Sequence, residues 1–392
     1  GPPSAGNIRP VANVMRVVAS TLPTVLLALV FVAIARRADV DDARAARVVW
    51  ILLFATPVFV YGLLLFSHAL VGACLFGAWA LLFFFAPSRR NDLAAGALIG
   101  FAVSSEYTMI FPSMVIGLVL LIERRWSCVA RVVAAGLPFA VLLGAYHHAA
   151  FGSVFRTPYF YEKLPEYREV ARSGFFGLHL PSPATFASLL FDPSRGLLVF
   201  SPVLIAAIPA YRAARRRMRS AAWWTLVAIP ATILLVYSGY PNWHGGWNVG
   251  PRYIVAAIPF VVLPLLFRNG GVIESLLAGF SALAVIFTTL VFPFPPNAFP
   301  FPWISLAAPL ALDGLVVPNL FHLIGRPAAI AIPTLLILTA IVAAHRRLAM
   351  LAGSGGLAAV SGAMMVDILQ ADGVSAAEWG LAALTVLLSA WI

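Results

Sequence analysis

Apolar residues fall along this chain in long blocks separated by short polar stretches. The blocks cover 11–35, 48–65, 67–86, 93–105, 107–122, 129–150, 196–211, 221–239, 252–267, 272–292 and 327–344, with two weaker ones at 355–370 and 376–392. A bilayer's hydrocarbon core is crossed by about 20 apolar residues in a helix. In lipid only a helix or a closed barrel satisfies the backbone. Alternating strand patterns are absent, so the blocks predict an all-α fold, a polytopic transmembrane bundle of about 11–13 spans. The segments 93–105 and 107–122 are short and divided only by Glu106, which predicts a tight helical hairpin that does not fully cross, or one tilted pair. Residues 183–191 are expected to lie as a helix in the membrane interface, with Asp192 and Arg195 in the headgroup layer.

Composition removes the soluble classes. Of 392 residues, 61% are hydrophobic and 10% charged, and the mean hydropathy is +0.94. Soluble domains are about 25% charged. A large water-soluble catalytic domain, a nucleic-acid module and a disordered tail are all excluded. The net charge of +11 comes from 25 Arg and a single Lys, Lys163, set against 15 acids. The arginines gather at 36–47, 89–90, 124–131, 212–219, 268 and 346–347. They occupy every second connection, so one parity puts them all on one side, the cytoplasm by the positive-inside rule. The other side then receives the loops 150–195 and 239–251 and the aromatic-proline segment 292–326. The same parity places residue 1 outside and implies an earlier span. Cys74 and Cys128 fall in or beside apolar blocks and read as buried thiols, with no metal-ligand spacing.

Chemistry is expected on the Arg-poor side. The loop 150–195 combines Phe155, Tyr159, Phe160, Tyr161 and Tyr167 with Arg156, Lys163, Arg168 and Arg172. It reads equally as a substrate groove or as an interfacial belt of aromatics and snorkelling cations. The second loop is YSGYPNWHGGWNVGPRY at 237–253. Trp243 and Trp247 offer faces for a sugar or headgroup, and Asn242, His244 and Asn248 offer hydrogen bonds. Arg252 opens the next helix, where a cation is costly unless it meets an anion, and its planar fork suits a phosphate. The other reading is a Trp-anchored turn with Arg252 paired to a carbonyl or carboxylate. Glu106, in SSEYT, is a candidate base or hydroxyl acceptor, or simply the partner of Arg252 or Arg156. His68 and the pair His147–His148 sit at outer span ends, where a satisfied interface histidine is the plainer reading. No HExxH, P-loop, Ser-His-Asp or Rossmann pattern is present. No metal site and no cofactor are predicted.

Several stretches together resemble the bacterial GT-C class of integral-membrane glycosyltransferases, the group with the protein O-mannosyltransferase-like and lipid A sugar-transferase enzymes. They are FSHAL at 66–70, SSEY at 104–107, HHAAFGSVFRT at 147–157, FDPSRGLLVFSPVL at 191–204, NWHGGWNVGPRYIVAAIP at 242–259, and PNL with the helix after it at 318–345. The resemblance implies a GT-C-like domain over 1–345, followed at 346–392 by a pair of weaker helices without counterpart. It implies transfer of a sugar from a polyprenyl-phosphate donor to a lipid, glycan or protein acceptor. The reaction would occur on the outer face of the bacterial cytoplasmic membrane. In that class a carboxylate in the first outer loop acts as general base. GPPSAG resembles the end of that loop, so the main base is expected upstream of Gly1, with Glu106 a weak substitute. On the same footing Arg252, Arg156 and Lys163 would meet the donor phosphate. His68, Tyr107, Tyr159, Trp243, His244, Trp247 and Asn248 would contact the sugar or the acceptor.

Two other functions fit the composition: a transporter or flippase of lipid-linked sugars, and a non-catalytic lipid-binding subunit. The acids Asp39, Asp41, Asp42, Asp92, Glu123, Glu162 and Asp192 lie in loops or at span ends. That distribution favours outer-face chemistry over a proton relay through the membrane.

Overall fold

A computed structural model describes residues 11–313, apart from Asn13, together with Leu315. The blocks expected at 327–344, 355–370 and 376–392, and the boundary at 345, lie outside the described residues. Within them the chain is an all-α, multi-pass membrane protein without strands. Among the described residues five helices are long and apolar enough to cross a bilayer. They are α1 (Val14–Arg37), α4 (Ser67–Phe84), α7 (Trp126–Phe151), α11 (Ser220–Ser238) and α13 (Val272–Val291). Between them run α2 (Asp42–Phe54), α3 (Val58–Leu63), α5 (Arg89–Ser105) and α6 (Tyr107–Ile122). The loop 150–195 carries α8 (Pro165–Arg172) and α9 (Pro183–Phe191). The chain then continues through α10 (Ala207–Arg217), α12 (Arg252–Phe267) and α14 (Trp303–Leu312).

Local chemistry sets the ends. Asp41 caps α2 by accepting from the Arg44 backbone N–H at 2.9 Å, and Ser88 caps α5 by accepting from Asn91 at 3.1 Å. Ser182 caps α9 through the N–H of Thr185, with Pro183 at the first helical position. The 183–191 helix therefore forms where the sequence predicts it. Gly152 ends α7 at φ 72°, a left-handed conformation that glycine adopts without a Cβ penalty.

Small residues decide how closely the helices pack, as is usual without a hydrophobic drive between spans. A Cβ on Gly96 would lie 2.3 Å from the Val132 carbonyl oxygen, and one on Gly100 would lie 2.9 Å from the Gly136 Cα. These glycines press α5 against α7. One on Gly72 would lie 3.1 Å from the Ala256 Cα, so α4 and α12 run almost backbone to backbone. That approach sets the outer ends of these two helices side by side.

The Arg-rich end is held by buried ion pairs. Glu274 meets Arg47 at 3.0 Å and Arg268 at 3.7 Å, while Asp92 meets Arg131 at 2.7 Å and accepts a bond from the Cys128 thiol at 3.2 Å. Cys74 and Cys128 are both free and buried, as expected. Opposite, the long loop is tied down where the His179 N–H donates to the Gly239 carbonyl at 2.8 Å and that of Ser182 to Ser238 at 3.0 Å.

Candidate functional site at the Arg-poor end

Glu106 terminates α5 and leads into α6, but the expected tight hairpin does not form, because α5 packs against α4 and α7 while α6 packs against α11. Its side chain is 13% exposed. Oε2 accepts from His68 Nδ1 at 3.1 Å and from Ser67 Oγ at 3.4 Å, and Oε1 accepts a short bond from the Tyr237 hydroxyl. That hydroxyl also meets Thr108 Oγ1 at 2.6 Å. Burial pushes the Glu106 carboxyl up, but the His68 charge and the bonds from His68, Tyr237 and Ser67 outweigh it and hold the group below its ordinary value. The carboxylate is therefore ionised at neutral pH. Its partner is His68, not Arg252 or Arg156. This corrects the sequence expectation: α5 packs along α4, so its C-terminal Glu106 meets the start of that helix.

Arg252 lies beside this cluster. Its guanidinium stands 4.9 Å from the Tyr253 ring centroid and 5.4 Å from that of Phe66, and it donates to the Tyr253 hydroxyl at 3.1 Å. Among the described residues it makes no ion pair with a carboxylate, and its buried Nε has no hydrogen-bond partner. Tyr253 stacks on Tyr237 at 5.0 Å and meets His68 edge-on at 5.7 Å, so cation and acid–base pair share one aromatic wall. Tyr61, Tyr240 and Phe66 complete it.

The glycine-rich loop is built around Arg195, which is 1% exposed. The headgroup position expected for it is wrong. Its Nη1 donates to the carbonyls of His244 and Gly246 and to Asn248 Oδ1, and its Nη2 donates to Asn297 Oδ1. A cation that completes so many buried acceptors is held inside the protein. Asn248, expected to face a sugar, is instead 1% exposed. Its amide nitrogen donates to the carbonyls of His244 and Gly245, both at 3.1 Å, so the side chain is committed to the loop. Gly245, at φ 68°, lies against Arg252: an added Cβ would be 2.8 Å from its Nε. His244 accepts from the Gly246 N–H at 3.2 Å, and burial with the nearby charges of Arg195 and Arg252 depresses its pKa. Trp243 is half-buried against the core, whereas Trp247 is 60% exposed.

Tyr107 and His147 form a second pair at 3.0 Å, with Tyr159 edge-on to Tyr107 at 6.3 Å. His147 also donates from Nδ1 to the Val154 carbonyl at 3.2 Å, which uses both ring nitrogens structurally. Arg156 and Lys163 are exposed on the loop 150–195 and make no ion pair among the described residues. Among the described residues no group of three metal-ligating side chains occurs. Sequence reasoning missed Tyr237, Tyr253 and Arg195. Tyr253 adjoins the cation already singled out, Tyr237 ends a span, and Arg195 is a lone cation before an apolar block.

Fold and site together define a multi-pass helical membrane protein with a polar cluster of acid, histidine, tyrosines and arginine at its Arg-poor end. The same fold occurs in the crystal structure of ArnT from Cupriavidus metallidurans bound to undecaprenyl phosphate. The two chains are 15% identical, with a TM-score of 0.51 over 95% of this chain and 62% of that one. The apo structure of the same protein is also 15% identical, with a TM-score of 0.46 over 94% of this chain and 62% of that chain. This chain thus spans less than two thirds of the length of ArnT. No protein-family model and no curated protein matches it.

Proposed function

We propose that this chain is the membrane domain of a glycosyltransferase that takes a sugar from a polyprenyl-phosphate donor and passes it to a lipid, glycan or protein acceptor. The reaction is placed at the outer face of the cytoplasmic membrane. The fold supports the class, because ArnT is a GT-C glycosyltransferase crystallised with undecaprenyl phosphate. The observation that carries the reading is Arg252, a half-buried guanidinium on an aromatic wall with no carboxylate to neutralise it. Buried cations are costly unless paired, and a lipid phosphate is the anion a membrane protein meets at this depth. When the glycosidic C–O bond to phosphate breaks, the developing charge falls on that phosphate, where a fixed guanidinium lowers the barrier. Arg156 and Lys163, exposed on the outer loop, would guide the lipid headgroup towards it. Tyr107, Tyr159, Trp243, Trp247 and His244 offer rings and polar tips to the sugar or the acceptor.

The test is binding of a fluorescent polyprenyl phosphate to the full-length protein in nanodiscs. Arg252→Ala is expected to weaken binding by about tenfold or more and Arg252→Lys by less, because a planar bidentate contact is lost. Unchanged affinity in Arg252→Ala removes the phosphate role.

A further inference from the structure

We infer that the arginine cluster at 212–219 is a binding face for acidic phospholipid headgroups, a role independent of the glycosyltransferase reading. α10 and the two residues after it expose Arg212, Arg215, Arg216, Arg217 and Arg219. None of the five makes an ion pair with a carboxylate among the described residues. The neighbouring sequence supplies no acid either, because no Asp or Glu occurs between Asp192 and Glu274. The clusters at 36–47, 89–90, 124–131 and 268 differ, since each has an acid among or beside its arginines. In the fold Asp41, Asp92, Glu123 and Glu274 all pair with arginines there. The cluster at 212–219 is thus left as a block of uncompensated positive charge.

The fold presents this charge rigidly and at membrane depth. Arg219 directly precedes α11, so the cluster stands where that span leaves the bilayer. Trp224, exposed in the first turn of α11, is a usual anchor at that boundary. One face of α10, with Ala207, Ala210 and Ala214, is buried, and the helix packs on the Leu263–Phe267 end of α12. The Tyr211 hydroxyl donates to the Phe260 carbonyl at 3.1 Å, and Trp223 Nε1 donates to the Tyr211 carbonyl at 3.3 Å. The opposite face bears Ile208, Arg212, Arg215 and Arg216 at helical spacing, with Ile205 exposed just before them. The Arg215 guanidinium is held 4.8 Å from the Trp223 ring centroid. Exposed isoleucines followed by arginines along one stripe fit the passage from hydrocarbon to headgroups, where arginine stems lie along acyl chains. Each guanidinium can then meet a lipid phosphate through two parallel N–H bonds. An acidic protein segment would answer the charge but leave Ile205 and Ile208 without an apolar neighbour, so a lipid is the better match.

The experiment titrates the full-length protein in neutral detergent with phosphatidylglycerol or phosphatidylcholine of identical acyl chains, and native mass spectrometry counts the lipids bound. The wild type is expected to bind phosphatidylglycerol about tenfold or more tightly than phosphatidylcholine, with the preference shrinking as salt rises. An arginine at a membrane surface is worth about fivefold in affinity for acidic lipid, so Arg216→Gln with Arg217→Gln should weaken phosphatidylglycerol binding by about 25-fold. Gln at all five positions should abolish the preference. Arg36→Gln with Arg37→Gln, in a cluster that holds acids, should leave it in place. Melting in the same detergent reports on folding, and the double variant decides the matter if the five-site variant unfolds. Equal affinity for the two lipids, or a preference that survives Gln at Arg216 and Arg217, overturns the assignment. An equal loss in the Arg36 and Arg37 variant also overturns it, because the preference would then be a general effect of charge. Binding of poly-glutamate at this face in place of phosphatidylglycerol overturns it in favour of an acidic protein segment.

Discussion

Arg195 and Arg252 are the same residue type at the same end of the molecule, yet their surroundings give them opposite roles. Arg195 is buried among carbonyl and amide oxygens of the glycine-rich loop and the Asn297 amide oxygen, which hold it inside the protein. Arg252 faces aromatic rings and leaves its charge unneutralised. The sequence distinguished Arg252 by its position at a span start, but it gave no sign that Arg195 is buried. The contacts that bury it come from residues 49 to 102 positions away. Replacing Arg195 with Ala leaves those acceptors unpaired inside the protein. The expected cost is at least about 3 kcal/mol, since bonds to a charged donor are worth about 1.5–3 kcal/mol each. Because Gly245 abuts Arg252, the loosened loop should also weaken lipid-phosphate binding. Thermal unfolding and donor binding on Arg195→Ala check both effects. Stability within about 0.5 kcal/mol of wild type, the size of a neutral surface change, would contradict the role.

The length of the apolar blocks and the polar breaks between them made most elements readable beforehand. The polar break at Glu106 and the helix at 183–191 form where the sequence predicts them. The two helices flanking Glu106 do not pair as a hairpin, however: α5 packs on α7 and α6 on α11. What the pattern could not supply is which helices touch. In lipid every span is apolar on all sides, so no amphipathic stripe names a neighbour. The choice is made by single glycines such as Gly72, whose missing side chain lets α4 and α12 meet and brings His68 to Tyr253. Gly72→Val should force the helices apart and cost about 1–3 kcal/mol, the usual penalty for overpacking. It should also reduce donor binding without touching any polar group of the site. A fluorescence-detected melting curve and the nanodisc binding assay measure the two, and a variant unchanged in both would show that this contact does not position the cluster.

Across the whole molecule the charges sort by end. Buried carboxylates at one end pair with arginines, as Glu274 does with Arg47 and Asp92 with Arg131. At the other end the one carboxylate of the cluster pairs with a histidine, and the nearby guanidinium stays unneutralised. The arginine clusters alone made this polarity legible, whereas the pairing of Glu106 with His68 required the folded arrangement of α4, α5 and α11. The central claim is that the Arg-poor end receives a lipid phosphate beside that pair. Photo-crosslinking tests it most directly, using the full-length protein in membranes and a polyprenyl phosphate that carries a photoreactive group next to the phosphate. The account predicts adducts in the peptides holding Phe66, Arg252 and Tyr253, lost in competition with unlabelled lipid. Competable adducts at the Arg47–Glu274 end instead, or none that excess lipid displaces, would contradict it.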